Sequence, residues 1–246
     1  MRKPAKLATA MSLALLMILP VGVSFADDDA KDAKKDAKTL QEAALVLDAQ
    51  TSAPDKNIPQ ELLARAECVL IFPNVNKGAF IVGGKGGKGV GSCRLADGSM
   101  SAPAMYEIGG ASIGFQFGGS STDFVLLVMN KEGMNYLLKD KFTIGGEAAA
   151  IAGPVGRTTN ASTDAMLQAG ILSWSRSKGL FVGAALDGAV VKPDKEANEA
   201  LYGKPISGRE ILTGPKLNTP PSAKPLMQSI NHNMSAAAAK EAAEKG

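Results

Sequence analysis

Histidine is almost missing from this 246-residue chain: His232, near the C-terminus, is the only one. The side chain that most often serves as general acid or base is therefore confined to one remote position. Cysteine is nearly as scarce, and Cys68 and Cys93 with one distant histidine fall short of a four-ligand zinc site, so no metal and no cofactor is expected. Aromatic residues make up only 5%. At 45% apolar and 21% charged, the composition is that of an ordinary soluble domain, which excludes collagen-like, coiled-coil and polytopic membrane classes. These absences favour a binding or structural module over an enzyme.

What is present begins with a leader. Arg2, Lys3 and Lys6 precede an apolar stretch over 7–19, and Ser24 and Ala26 place small residues at the −3 and −1 positions before Asp27. This is the pattern of a secretory signal peptide, 1–26, cleaved after Ala26, and it predicts a periplasmic or secreted protein. No cysteine stands near the cleavage site, so a lipoprotein anchor is not indicated. The formal charge of +3 is then misleading: of 27 Lys+Arg, three leave with the leader, so 24 remain against 24 Asp+Glu. No nucleic-acid partner is expected of a neutral chain.

The run 27–39 holds Asp, Lys and Ala with no large apolar residue before Leu40, and reads as a charged, solvated linker. Leu40, Ala44 and Leu47 then recur at helical spacing, and a second short helix is predicted around Leu62, Leu63 and Ala66, with Asn57 as N-cap. Both helices serve as a lid on the core or as a membrane contact. From Cys68 to Lys192 the pattern is β: an apolar run over 69–72 before Pro73, a segment over 79–82, alternation through Ile113, Phe115 and Phe117, and a run over 124–129 suited to a strand buried on both faces. Asp97-Gly98 and Asp187-Gly188 predict type I′ turns, and 131–139 a short helix. Of the 27 glycines, 22 lie between Gly78 and Gly188, which predicts a strongly curved sheet. Two small helices follow, one over 194–202 ending at Gly203 and one opened by the capping-box spacing Ser207–Glu210. Residues 215–246 read as a proline-rich linker with a marginal Ala/Lys/Glu tail, so the folded domain is placed at 40–214.

Two motifs suggest catalysis and fail on context. Residues 84–89 fit GxGxxG, but a strand-like run follows where a nucleotide fold needs a helix. Residues 110–114 fit GxSxG, yet Ser112 lies within an alternating strand pattern rather than at a strand-to-helix elbow. Charge distribution is more informative. Between Glu67 and Asp97 stand Lys77, Lys85, Lys88 and Arg94 with no acid; between Asp164 and Asp187 stand Arg176 and Lys178, again with none; and Arg157 follows the 153–156 turn. On one face, these seven cations would attract an anionic phospholipid surface, and glycine-rich loops would offer backbone N–H groups to phosphate. Scattered over hairpin tips, they would serve only solubility. Cys68 and Cys93 likewise leave two readings open, one disulfide or two buried thiols.

Taken in order, several segments resemble the SYLF domain family: Ile58-Pro59 with Leu62-Leu63, the 69–73 run, Lys77-Gly78-Ala79-Phe80, Ser101-Ala102-Pro103, 109–118, Gly153-Pro154-Val155-Gly156-Arg157, 173–181, Leu186-Asp187-Gly188 and Tyr202-Gly203. The match spans about 55–213. The resemblance, which extends to the yeast actin-patch regulators, implies a non-catalytic lipid-binding module. Eukaryotic members bind phosphoinositide membranes and some bind actin; secreted bacterial members are described as lipid-binding. Met100 stands where many members carry Trp before Ser-Ala-Pro, which weakens an aromatic membrane contact there. A linker and a leader occupy the position of the eukaryotic amphipathic segment and direct the domain away from cytosolic actin, so neither phosphoinositide nor actin binding is expected of this chain.

The combined expectation is an α+β fold: a curved, glycine-rich, mainly antiparallel β-sheet, barrel- or sandwich-like, with flanking amphipathic helices. It would make peripheral contact with anionic lipid or a lipid-like ligand. The alternative is a structural cell-envelope protein that binds other proteins and no lipid.

Overall fold

The run 69–72 determines the architecture, because it is apolar at every position and can satisfy both its backbone and its side chains only as a central strand. In the computed structural model, which describes residues 25–49, 57–75, 86–110, 121–148, 150–155, 166–177, 180–184 and 186–245, that run lies in β1 (Cys68–Val75), flanked antiparallel by β2 (Gly87–Cys93) and β4 (Thr122–Val128). Beyond β2 come β3 (Ala104–Gly109), β9 (Val190–Pro193) and the short edge β5 (Phe142–Thr143); beyond β4 comes β7 (Ile171–Ser177). The outer edge of β7 is shared: β6 (Ala150–Ala152) pairs parallel with its first half and β8 (Leu180–Gly183) antiparallel with its second. The result is a curled, mainly antiparallel half-barrel with flanking helices, as the sequence predicts.

Alternation along β1 sends side chains to two cores. Val69 and Ile71 join Val90, Val125, Leu127 and Trp174 beneath α1 (Phe25–Asp48), α2 (Gln60–Arg65) and the long C-terminal α6 (Lys224–Lys245). Leu70 and Phe72 join Tyr106, Phe124, Leu126 and Phe142 beneath α3 (Lys131–Leu137) and α5 (Gly208–Thr213). A sheet covered on both faces needs apolar residues at successive positions, which is what β1 and β4 carry. Curl is provided where bulk is absent: Gly89 stands where a Cβ would collide with the Phe72 ring and the Ile71 carbonyl, so Phe72 closes over β2. Gly153 lies against the Trp174 indole in the same way, and Trp174 Nε1 donates to the Pro154 carbonyl at 2.7 Å.

Several expectations need correction. The segment 27–39 is not a linker: it is helical and continuous with α1, with Asp36 and Thr39 already buried. Nor is 215–246 a marginal appendage. Leu226, Met227, Ile230 and Met234 are buried in the first core, and the helix packs against α1 and α2. The folded unit thus extends beyond 40–214 at both ends, because α1 and α6 together cover one face. Pro73 does not end β1; the strand continues through an irregularity between Phe72 and Val75, with Asn74 at φ 51°. The two turns are not type I′, which needs positive φ at both central residues: Gly98 (80°) and Gly188 (81°) have it and their aspartates do not. Pro59, not Asn57, is the N-cap of α2. By contrast, α4 (Lys195–Tyr202) opens on Asp194 and stops at left-handed Gly203, and Ser207 and Glu210 form the capping box of α5. The segments expected at 79–82 and through Ile113, Phe115 and Phe117, and the leader through residue 24, lie outside the described residues.

Cys68 and Cys93 face each other across β1 and β2, and their sulfurs are bonded. Closing a loop of 25 residues should stabilise the fold by about 3 kcal/mol in chain-entropy terms. A Cys68→Ala/Cys93→Ala double variant is therefore expected to lose about that much in urea denaturation under non-reducing conditions, and to be unaffected by added reductant; equal stability of variant and parent would refute it. Gly153→Ala, which drives a methyl into an indole already tied to Pro154, is expected to lose about 1–3 kcal/mol by overpacking. Gly146→Ala, whose added Cβ finds nothing closer than 3.6 Å, should be nearly neutral in the same assay.

Candidate functional site

The strand directions gather particular chain ends. Val75 pairs with Thr122, Gly87 with Ile108, Gly109 with Val190, and Asp123 with Arg176. The C-terminal ends of β1, β3, β6 and β7 and the N-terminal ends of β2, β4, β8 and β9 therefore lie at one end of the sheet. The segments joining these ends include 76–85, 111–120 and 178–179, which carry Lys77, Lys85 and Lys178 and no acid. β6 also ends here, but β7, parallel to it, starts at the other end, and the segment between them carries Arg157 and Asp164. Those four candidate cations lie outside the described residues.

The other three candidates are described, and each is engaged within the fold. Arg94 donates to the Ala64 carbonyl at 3.1 Å and the Gly98 carbonyl at 3.3 Å, tying α2 to the turn after β2. Arg176 meets the Asp123 carboxylate through two nitrogens, at 2.7 and 2.9 Å, and its guanidinium lies over the Phe181 ring at 5.9 Å. The opposite Asp123 oxygen accepts from the Asn74 amide, so this pair also pins the irregularity in β1. Lys88 is the most sequestered: its Nζ lies 2.7 Å from Asp36 on α1 and 3.0 Å from Asp194 at the cap of α4. All three cations are thus bound to partners of the chain itself.

The Lys88 cluster lines a groove of about 980 Å³ between α1, α4 and the β3–β9 side of the sheet. Asp36 and Asp194 are 5% and 8% exposed. Burial, opposed by the bond to Lys88 and reinforced by the carboxylates of Asp194 and Asp32, raises the Asp36 pKa above its ordinary value. Burial also opposes the Lys88 charge, but the bonds to Asp36 and Asp194 outweigh it and hold the ammonium above the ordinary lysine value. Beside it, Glu107 pairs with Lys192 at 2.8 Å. Seven acidic side chains line the groove against three lysines. A cavity of that sign repels a phosphate head group, so it is not the anion site that the sequence led us to seek.

Sequence reasoning missed Asp36, Asp123 and Glu107. For Asp36 a signal existed: it precedes Leu40 by four residues and so continues the face that carries Leu40, Ala44 and Leu47 inward. Among the described residues there is no group of three or more His, Cys, Asp or Glu side chains able to hold a metal ion, and no helix is long and apolar enough to cross a membrane.

The family described as Ysc84, Las17-binding protein actin regulator, matches residues 109–233. Protein YSC84 of Saccharomyces cerevisiae is 34% identical over 202 residues, covering 81% of this chain and 42% of the yeast protein. LAS seventeen-binding protein 3 of the same species is also 34% identical over 202 residues, with 81% and 43% covered. The SH3 domain-containing YSC84-like protein 1 of Homo sapiens is 33% identical over 184 residues, covering 74% of this chain and 53% of the human protein. The chain spans about half the length of these curated relatives. With the family match covering half the sequence and these relatives extending it across most of the chain, the protein belongs to the Ysc84, or SYLF-domain, family.

Proposed function

We propose that this domain is a non-catalytic module that binds anionic lipid head groups at a membrane surface, through the end of the sheet where β1, β3, β6 and β7 finish. It would do so in the periplasm or outside the cell, after cleavage following Ala26. The observation that carries the reading is the convergence of those strand ends, whose joining segments hold Lys77, Lys85 and Lys178 and no acid, together with Phe80, Phe115 and Phe117. Each cation near an anionic surface contributes about 1 kcal/mol. Lys88, Arg94 and Arg176 are reassigned from lipid contact to the fold, since each already has an internal partner.

A second reading rests on the family's own description, Las17-binding protein actin regulator, and on the name of one relative, LAS seventeen-binding protein 3: this chain would be a protein-binding module of the cell envelope with no lipid ligand. Co-sedimentation with vesicles separates the two. Residues 27–246 are expected to bind phosphatidylglycerol-containing vesicles and not purely phosphatidylcholine ones, and binding should weaken as salt rises from 0.1 to 1 M and the Debye length falls from about 10 to about 3 Å. Lys77→Glu with Lys85→Glu should weaken it at least about tenfold while circular dichroism stays unchanged. Equal binding to both vesicle types, or none to either, would overturn the lipid reading. For export, intact mass of the protein from its native host should begin at Asp27; a retained Met1 would refute cleavage.

A further inference from the structure

The Asp36–Lys88–Asp194 cluster is an unusual anchor. It joins three elements far apart in the chain, α1, β2 and the start of α4, and it buries two carboxylates against one ammonium. Removing charges from water is costly, and an ion pair recovers that cost only when its charges balance. Here they do not: the three groups sum to one net negative charge.

We propose that Asp36, Lys88 and Asp194 form a proton-operated latch for α1: with one proton bound the cluster is neutral and α1 is fastened to the sheet, and without it the residual buried negative charge loosens the helix. Asp36 is the member that accepts the proton. Asp194 has a second role: its Oδ1 accepts from the Ala197 amide as the N-cap of α4, at the positive end of that helix. The charged groups facing Asp36 are accounted for element by element: Asp32 on α1 and Asp194 before α4 repel its charge, and Lys88 on β2 attracts it. Farther along the groove, Glu107 on β3 is neutralised by Lys192 on β9, while Glu196 on α4 adds negative charge. The raised affinity of Asp36 for its proton agrees in direction with this balance.

The sign follows. A carboxyl whose pKa is higher when α1 is docked than when it is free favours docking most fully below its ordinary value of 3.8, and that contribution is lost as pH rises through the docked value. Asp32 and Ala33 on α1 line the groove beside Asp36, so loosening α1 also moves one wall of that groove.

Hydrogen exchange of the full chain between pH 4 and 8, corrected for intrinsic rates, reads the latch directly. In the parent protein the opening constant of the α1 amides over 36–48 is expected to rise with pH by up to about tenfold per unit and then level off, while β4 amides keep their protection. Asp36→Asn, which preserves the shape of the neutral side chain and has no proton to lose, should abolish that slope and hold α1 at the protection the parent shows in acid. The proposal is overturned if α1 protection in the parent does not vary with pH, or if Asp36→Asn retains the parent's slope.

Discussion

The structure depends on β1 being buried on both faces. A strand with apolar groups at 68–72 cannot present either side to water, so the sheet built around it must be covered twice, and every other large feature follows from that demand. One cover is assembled from the two ends of the sequence, α1 and α6, with α2 between them; the other comes from the short helices α3 and α5 inserted between and after strands. The chain therefore has to close on itself, with Ser229 on α6 donating to the Asp48 carboxylate of α1 at 2.6 Å across 181 positions. Small residues then shape the sheet between its covers, since the large rings of Phe72 and Trp174 fit only where Gly89 and Gly153 leave room.

That same burial redirects the electrostatics. Cations that look available in the sequence become structural when a strand or helix carries them to the edge of a core. Lys88 and Arg176 lie within 3.0 Å of carboxylates, and Arg94 bonds carbonyl groups, so their charges are spent in holding elements together. Cations that remain candidates for an external partner stand in the segments between strands, outside the described residues. Only the second set should respond to vesicle charge and salt, and only the first should alter the fold.

How much of this was legible depended on whether the signal was local. Apolar runs identified the strands around Val69 and Phe124, and the stop at Gly203 and the Ser207–Glu210 capping box identified α4 and α5, because each is written within a few residues. The linker reading of 27–39 failed for the opposite reason. Nothing within that segment is apolar enough to fold it; the helix exists because it continues a buried one, and because Lys88, 52 positions away, receives Asp36. The C-terminal helix was misjudged similarly: Leu226, Met227, Ile230 and Met234 find burial only against α1 and α2. At the candidate site, the cation-rich segments were visible as composition, whereas the partners that withdraw Lys88 and Arg176 come from distant strands and helices.

The position of α1 also bears on export. Residues 30–35 of that helix are exposed, and Asp36 is the first buried side chain among those described. A cut after Ala26, as proposed, would leave in the mature chain every residue of α1 that is described as buried. The new terminus would begin Asp27-Asp28-Asp29, three acids in the first turn of a helix, where they complement the positive end of the helix dipole. Against this, the freed α-amino group adds one positive charge at the same end, a smaller and partly titrated charge near neutral pH. The three acids, present before and after the cut, outnumber that one partly titrated charge. The same acids lie at least seven residues before Asp36, about 10 Å along the axis, close to a Debye length at physiological salt. Trimming the leader would thus leave the charge balance around Lys88 essentially unchanged, and the anchor of α1 would be the same before and after export.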